Sequence, residues 1–464
     1  MSSIKERGDG YFVFGDAVSA AANACLNKEI FFELFNNFTC TASKMSVSEC
    51  ESTSIVIGEC ELLSIDGYEY AINVTGNGMS VNADTERGLI HGFLSLLELI
   101  EPLELEVGKE KLAVAVQRIW DKPDLEYRMI HLCFFPEQSP ADIEKYLRVA
   151  AMLKCTHVVL ELWGSVRLDS LPEIAWRDRS YSKDELRPII KLARELGIEM
   201  IPMFNHWGHA SQSRGKFGKH AILDQNPRLA HLFNRTGWAW RIDDERVKNL
   251  HKNIRLELIE LFGEGEFFHI GCDEAIITSD EKPYIDVVNY VNEVAGELAS
   301  LGRRTLMWGD MMLLKSRFDK TARYECNLTD EKIEKIMLDG LSRDIVIVDW
   351  QYNATEHPFK TSEHLKNCGF DVIVAPWDDG FTNGACAVKT ADELSLKGVM
   401  HTTWHTLYRG MRPLNLVLRR AWDKNYEWSD DNMMYIGALV GKCAPAKDYE
   451  SAGWSKVEIG TGIL

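Results

Sequence analysis

The sequence has no long hydrophobic run and no pair of cysteines at metal-binding spacing. No stretch approaches the roughly 18 apolar residues that cross a bilayer, and the first residues lack the basic-then-apolar layout of a secretion signal. Its 11 cysteines include no C-x-x-C pair, which favours reduced thiols over a disulfide framework or a zinc site. These absences predict a cytoplasmic protein that has no membrane partner.

Positive charge is also scarce in this chain. The sequence has 52 Lys and Arg against 70 Asp and Glu, a formal net charge of −18. A field of this sign repels phosphate backbones and anionic membranes, so nucleic acid is not an expected partner. The 464 residues and the 45% hydrophobic fraction are typical of a globular chain with a substantial core.

The first part of the chain reads as a small α+β domain. Short β-rich runs at 54–57 and 68–74 are separated by turn residues. Asp84 or Thr85 can cap a helix whose apolar residues recur at helical spacing, and Pro102 follows its end. We therefore expect residues 1–120 to form a sheet covered by helices on one face.

From residue 121 to residue 464 the pattern changes to buried strands that alternate with amphipathic helices, as a parallel sheet requires. No glycine-rich phosphate loop opens any of these helices, which argues against the open doubly wound alternative. Eight strands predict a closed (β/α)8 TIM barrel with its site at the carboxyl ends of the strands. The strand candidates are 127–133, 156–163, 198–205, 266–271, 304–309, 344–350, 371–376 and 399–404.

Polar and aromatic residues follow these strands. The sharpest feature is Asp273 next to Glu274 at the end of the fourth strand, because neighbouring carboxylates repel one another and favour a retained proton, as a general acid needs. Several tryptophans also stand at strand ends, where their rings suit the apolar faces of a sugar. These tryptophans are Trp163, Trp308, Trp350, Trp377 and Trp404.

The segment HIGCDE at 269–274 resembles the H-x-G-x-D-E motif of glycoside hydrolase family 20, the β-N-acetylhexosaminidases. PMFNHWGH at 202–209 is similar to the third-strand segment of that family, which ends in Gly-His. DKP at 121–123 followed by Tyr127-Arg128 resembles the entry into its first strand, and residues 68–100 resemble the small domain before its barrel. The similarity therefore spans most of the chain.

This resemblance implies a retaining exo-β-N-acetylhexosaminidase in which the acetamido oxygen of the substrate, not a protein carboxylate, attacks the anomeric carbon. Asp273 would orient the acetamido N–H, and Glu274 would protonate the leaving oxygen and later deprotonate water. No metal or cofactor is expected, and the partner is a carbohydrate with a terminal β-linked GlcNAc or GalNAc. The substrate-binding residues that it implies are Arg128, His209, Trp308, Trp350, Tyr352, Trp377, Asp378 and Trp404.

The sequence departs from the common family pattern in four places, one of which follows Trp404, where the expected Glu is missing and His405 or His401 stands nearby. The second strand ends in ELWG at 161–164 instead of an acidic pair, and Asn205 stands where an Asp is usual. No Tyr follows the seventh strand, so Tyr352 is the substitute that we expect to contact the acetamido oxygen. These changes resemble the divergent hexosaminidase-D-like branch. They leave open the choice between GlcNAc and GalNAc, the natural glycan and its linkage, and the tolerance of sulfated or phosphorylated sugars.

Two other functions and two structural questions stay open. His206, His209, His269 and Asp273 could be drawn as the metal site of a metal-dependent barrel hydrolase, although the H-x-H strand motif is absent. A sugar-binding barrel without catalysis is the other alternative. Trp238 and Trp240 could cover the sugar or only pack their own segment. A monomer and a homodimer both fit the sequence.

Overall fold

A small sheet domain precedes the barrel in the computed structural model. The structure describes residues 3–14, 17–22, 27–39, 46–48, 55–57, 64–106, 109–136, 138–176, 180–211, 220, 222–276, 278–318, 324–378, 380–404, 411–427, 429 and 439–443. The sheet has eight strands in the order β1-β8-β5-β6-β4-β2-β3, and β7 also pairs with β8. These strands are β1 (Ile4–Val13), β2 (Ala17–Ala22), β3 (Ser46–Ser48), β4 (Ile55–Ile57), β5 (Tyr70–Thr75), β6 (Gly78–Asn82), β7 (Glu101–Glu106) and β8 (Lys109–Asp121).

Two helices belong to this part of the chain, α1 (Lys28–Thr39) and α2 (Glu86–Glu98). Helix α2 begins where expected, because the Thr85 side chain accepts a hydrogen bond from the backbone N–H of Gly88. It packs against β5 and β6 and also contacts the first helix of the barrel. Helix α2 therefore lies between the small sheet and the barrel.

Eight parallel strands close into a barrel in the order β10-β11-β12-β13-β14-β15-β16-β9. They are β9 (Tyr127–Phe134), β10 (His157–Leu162), β11 (Glu199–Met203), β12 (Phe267–His269), β13 (Arg304–Trp308), β14 (Val346–Trp350), β15 (Asp371–Ala375) and β16 (Gly398–Thr403). The helices between and after them are α3 (Pro140–Met152), α4 (Lys183–Glu195), α5 (Ile222–Gln225), α6 (Glu245–Phe262), α7 (Lys282–Ser300), α8 (Glu331–Gly340), α9 (Lys360–Asn367), α10 (Phe381–Glu393) and α11 (Met411–Trp422).

The barrel has one core inside the strands and another between strands and helices. Strand side chains alternate between these two layers, so every barrel strand is apolar on both faces. Met129, Ile201 and Phe267 fill the interior, while Ile130 and Leu132 pack outward against helices. The continuous apolar runs in the sequence follow from this double burial.

The structure confirms a (β/α)8 TIM barrel that follows a smaller α+β part. The eight strand candidates all form barrel strands, with ends that differ by a few residues. The division of the chain between residues 120 and 121 stays a prediction; β8 ends at Asp121 and β9 begins at Tyr127. Within the described ranges, no helix combines the length and the hydropathy that a membrane crossing requires.

Candidate active site

The turn that follows β12 carries the two adjacent carboxylates. Gly271, Cys272 and Glu274 have φ angles of 66°, 74° and 43°. This left-handed region costs a residue other than glycine on the order of 1–3 kcal/mol. A Cβ at position 271 would lie 2.2 Å from Oδ1 of Asn205, so only glycine fits there. The turn that holds residues 273 and 274 at the mouth of the barrel therefore contains backbone strain at Cys272 and Glu274.

A single imidazole nitrogen contacts both carboxylates. His209 Nε2 lies 3.1 Å from Oε2 of Glu274 and 3.3 Å from Oδ2 of Asp273. Asp273 is 5% exposed, whereas the Glu274 side chain is 49% exposed. The two carboxylates thus share one contact but differ in their access to solvent.

A third carboxylate, Asp310, lies against this turn. It follows β13 and is buried, and its Oδ2 accepts a hydrogen bond of 2.8 Å from the backbone N–H of Glu274. Asn327 Nδ2 donates to the same oxygen at 2.6 Å, and Trp350 Nε1 donates to Oδ1 at 3.0 Å. Burial, reinforced by the charge of Asp273, raises the pKa of Asp310 to about 7. Asp310 stands among the polar residues at the predicted strand ends, but the sequence prediction gave it no role in the site.

Aromatic side chains at the ends of β13, β14 and β16 form a wall beside these carboxylates. The ring centroids of Trp308 and Trp404 are 5.9 Å apart, and those of Trp350 and Tyr352 are 5.0 Å apart. Trp404 Nε1 donates to the Tyr352 hydroxyl at 2.5 Å. Trp377 stacks on Tyr352 with the centroids separated by 6.2 Å. The structure therefore brings together the five aromatic residues that the sequence singled out for substrate contact.

The Tyr352 hydroxyl lies in a buried and negatively charged surrounding. Burial raises its pKa well above the usual value, and the carboxylates of Asp273 and Asp378 raise it further. Asp378 itself is fully buried, and its Oδ2 accepts a hydrogen bond of 3.0 Å from the backbone N–H of Trp404. Tyr352 thus stays protonated at neutral pH, and Asp378 holds the main chain of Trp404 in place.

Trp238 belongs to the site, whereas Trp240 packs within its own segment. Trp238 Nε1 donates to the backbone oxygen of Glu274 at 2.5 Å, and its ring centroid is 4.3 Å from that of His209. Trp240 is buried and donates to the backbone oxygen of Asn205 at 2.9 Å. From the sequence, either tryptophan could cover the sugar or pack within its own segment. The contacts place Trp238 beside the carboxylates and Trp240 in the packing of the segment.

The prediction for Arg128 is wrong. Arg128 is the second residue of β9, so it lies at the amino end of the barrel, opposite to the carboxylates. Its guanidinium is buried and donates to the backbone oxygens of Lys154, Leu125 and Glu126. These bonds engage Nε and Nη1 inside the protein, and Arg128 serves to join the loops below the barrel.

Of the four residues of the alternative metal site, His209 and Asp273 are in contact, but the four do not form one cluster of ligand atoms. His206 Nδ1 lies 2.7 Å from the backbone oxygen of Phe204, and His206 Nε2 lies 3.2 Å from Nη1 of Arg255. The described residues that could hold a metal are instead His131, Cys133 and Glu161, whose ligand atoms lie within 4.8 Å of one another. His131 Nε2 lies 3.0 Å from Oε2 of this buried Glu161. Asn205 Nδ2 donates to Oε1 at 2.8 Å, so protein groups already surround this carboxylate.

Both the sequence and the fold of this chain are similar to those of known proteins. Residues 159–409, more than half of the chain, match the profile of glycosyl hydrolase family 20, catalytic domain. The chain belongs to this family. Among curated proteins, it is similar to a lacto-N-biosidase of Bifidobacterium bifidum, with 21% identity over 359 residues, 76% of this chain and 30% of the relative. A β-hexosaminidase of Emericella nidulans is 25% identical over 236 residues, 46% of this chain and 36% of the relative.

The chain therefore matches about one third of the length of these curated relatives. Solved structures match it over nearly its whole length. A β-N-acetylhexosaminidase from Bacteroides fragilis superposes with a TM-score of 0.69 at 18% identity, covering 99% of this chain and 98% of its own. A mutant Streptomyces plicatus β-hexosaminidase in complex with the product GlcNAc gives 0.68 at 17% identity, covering 97% and 94%. At this identity, the likeness establishes the common fold.

Proposed function

We propose that this family 20 chain is a retaining exo-β-N-acetylhexosaminidase that uses the acetamido group of its substrate as the nucleophile. The observation that carries the proposal is the contact of His209 Nε2 with both Asp273 and Glu274. Most retaining glycosidases place a nucleophile and an acid on opposite sides of the scissile bond. Two carboxylates that share one imidazole contact suit acid catalysis and substrate orientation better than that opposed arrangement.

The two carboxylates divide the reaction between them. Glu274, which reaches solvent, donates its proton to the glycosidic oxygen as the bond from that oxygen to C1 breaks. The acetamido oxygen forms a bond to C1, and the enclosed Asp273 accepts a hydrogen bond from the acetamido N–H of the resulting oxazolinium. Water then attacks C1 and gives a proton to the Glu274 carboxylate, and the ring reopens. Two inversions at C1 give net retention.

The aromatic wall provides the acetamido pocket in this proposal. The Tyr352 hydroxyl accepts the hydrogen bond of Trp404 and is also hydrogen-bonded to the Thr402 side chain, and in the proposal it turns its own hydrogen to the acetamido oxygen when substrate binds. The raised pKa of Tyr352 supports this role, because the hydroxyl must keep its proton to donate. Trp308, Trp350 and Trp404 would enclose the methyl group and the sugar face.

The names of the relatives support the substrate class. The Streptomyces plicatus structure holds GlcNAc as product, and the Emericella nidulans relative is named a β-hexosaminidase. The departures at Asn205 and Tyr352 support placing the chain in the hexosaminidase-D-like branch. None of the seven cysteines that the structure describes forms a disulfide, which supports the proposed cytoplasmic location. The proposed mechanism uses no metal and no cofactor.

A panel of aryl β-glycosides tests this function. The nitrophenyl glycosides of GlcNAc, GalNAc, glucose and galactose differ only at carbon 2 and carbon 4, and release of nitrophenol measures the rate. We expect at least about 10³-fold higher kcat/KM for a sugar that carries the acetamido group, because positioned intramolecular attack provides large effective molarities. An aryl lacto-N-bioside covers the activity in the name of the Bifidobacterium relative.

Two results would contradict the proposal. Equal cleavage of the glucoside and the N-acetylglucosaminide would remove the acetamido group from the mechanism. Loss of activity after dialysis against a chelator, with recovery on adding zinc, would favour a metal-dependent hydrolase and would point to His131, Cys133 and Glu161. Binding of GlcNAc without any turnover would favour the non-catalytic sugar-binding barrel.

A further inference from the structure

One buried carboxylate, Asp310, contacts three separate parts of the candidate site. Its Oδ2 accepts hydrogen bonds from the backbone N–H of Glu274 at 2.8 Å and from Asn327 Nδ2 at 2.6 Å. Its Oδ1 accepts from Trp350 Nε1 at 3.0 Å. The three donors belong to the turn after β12, the segment after β13 and the end of β14. The side chain of Asp310 therefore links these three segments of the chain to one another.

The hydrogen bond to Glu274 matters because of the conformation of that residue. Glu274 has a φ of 43°, in the left-handed region that disfavours a residue with a side chain. A charge-assisted hydrogen bond to its N–H stabilises this conformation and sets the point from which the side chain extends. If the backbone relaxed, the carboxyl group would move relative to the glycosidic oxygen, and proton transfer depends steeply on that distance.

The hydrogen bond to Trp350 ties the aromatic wall to the same carboxylate. Trp350 Nε1 donates to Oδ1, so the plane of the indole is set by Asp310 and not only by packing against Tyr352. The proton donor and one wall of the proposed acetamido pocket thereby keep a fixed separation. Such a separation is what a reaction between a leaving oxygen and an acetamido group of one sugar requires.

We propose that Asp310 is a positioning residue that holds the general acid Glu274 and the pocket wall Trp350 in register through its three hydrogen bonds. The inference rests on the proposed function. All three donors are N–H groups, and they match the accepting oxygens of the Asp310 carboxyl group. Asparagine at this position has one accepting oxygen, so it can accept either from Glu274 and Asn327 or from Trp350, and its NH2 group faces the donor on the other side. Asp310→Asn should therefore lose the bridge while keeping the volume of the side chain.

The chain offers a matched control in Asp349. This residue is also fully buried at the end of a barrel strand and also accepts three hydrogen bonds. The donors are Gln351 Nε2 at 2.7 Å, Thr361 Oγ1 at 2.7 Å and Ser362 Oγ at 2.6 Å. These bonds tie β14 to α9 and do not reach Glu274. Asp349→Asn thus disturbs a similar buried network without touching the acid.

The test compares phenyl and 3,4-dinitrophenyl β-glycosides of the N-acetylhexosamine that the wild type prefers. Dinitrophenolate leaves without a proton, whereas phenolate needs the acid. We expect Asp310→Asn to lose about 10²-fold in kcat/KM on the phenyl glycoside and less than about 10-fold on the dinitrophenyl glycoside, since general acid catalysis contributes 10²–10⁴-fold. Asp349→Asn should change both rates by the same small factor while lowering Tm.

Equal losses of Asp310→Asn on the two substrates would overturn the proposal, because they would indicate a general structural role. Should that variant fail to fold, Trp350→Phe removes one of the three donors and keeps most of the ring; we expect it to raise KM on both substrates, and an unchanged KM contradicts the bridge. A wild type that cleaves neither glycoside refutes the proposed function itself. A normal wild type with an unaffected Asp310→Asn refutes only this inference.

Discussion

At the amino end of the barrel, buried charged groups are surrounded by groups that compensate them, whereas at the carboxyl end two carboxylates contact one histidine and a third carboxylate lies against the same turn. Below the barrel, Arg128 donates to three backbone oxygens. Lys154 Nζ donates to the Tyr70 hydroxyl at 2.9 Å and lies 3.7 Å from Asp121. The mouth holds Asp273, Glu274 and Asp310, and the charge of Asp273 raises the pKa of Asp310.

This difference between the two ends of the barrel distinguishes charged residues that support the fold from charged residues that serve the reaction. A buried cation that donates to backbone oxygens is compensated locally, and its removal would leave those oxygens at the junction between the small sheet and the barrel without a donor. Like charges placed side by side destabilise the fold, so their retention at the mouth indicates chemistry. Substitutions at the two ends should therefore have opposite effects on stability and activity.

The largest expected effect is at the mouth. Glu274→Gln removes the proposed proton donor, so we expect kcat/KM on phenyl N-acetylhexosaminides to fall by about 10²–10⁴-fold. Tm should stay nearly equal, because the Glu274 side chain is half exposed and glutamine keeps its volume. Rates are compared with Tm from thermal unfolding. Full activity in this variant would remove Glu274 from the acid role.

At the other end, the comparison predicts the reverse. Arg128→Met leaves the backbone oxygens of Lys154, Leu125 and Glu126 without their donor, and we expect the free energy of unfolding to fall by about 4 kcal/mol. The activity of the molecules that remain folded should not change. Urea unfolding and kcat at a temperature well below Tm measure the two quantities. A large drop in kcat with unchanged stability would restore Arg128 as a substrate ligand.

A smaller expected effect is a loss of stability at low pH, through His91 and Glu69 at the same junction between the small sheet and the barrel. His91 Nδ1 lies 2.5 Å from Oε1 of Glu69. Burial lowers the pKa of His91 to about 4, against the opposing influence of Glu69. The hydrogen bond and charge of His91 help to hold the pKa of Glu69 at about 2 although burial opposes this. Both folded pKa values lie below the unfolded values, so protons bind preferentially to the unfolded chain as the pH falls.

We therefore expect His91 to contribute stability above pH 6.5 that is lost as the pH falls to about 4, with a magnitude of about 3 kcal/mol. His91→Gln removes this titration, so its free energy of unfolding should depend less steeply on pH between 6.5 and 4. Urea unfolding at several pH values measures the difference. Parallel pH profiles for the wild type and the variant would show that His91 titrates alike in both states. The pH dependence of activity, which the carboxylates at the mouth of the barrel set, should differ from this pH dependence of stability.

Much of the barrel could be predicted because strands buried on both faces leave continuous apolar runs. The runs at 304–309 and 371–376 became β13 and β15 with ends shifted by one residue. The position of Asp273 and Glu274 directly after β12 followed from the same rule. The aromatic residues at strand ends were likewise identified, because their place along the strand assigns them to the mouth.

Side-chain partners were harder to predict. Arg128 matched a family motif, yet its place at the start of β9 put it at the far end of the barrel. His206 and His209 are three residues apart, but the positive φ of His209 turns the chain between them, so they face different neighbours. The role of Asp310 depends on donors 17, 36 and 40 residues distant in the chain.

The order of apolar and polar residues by itself determined the barrel, the number of its strands and the end at which the acidic pair lies, because these depend on local periodicity and strand direction. Only the tertiary structure decided which charges are compensated and which are left to repel one another. Those contacts join residues far apart in the chain, and their energies depend on burial and distance, which no local pattern contains.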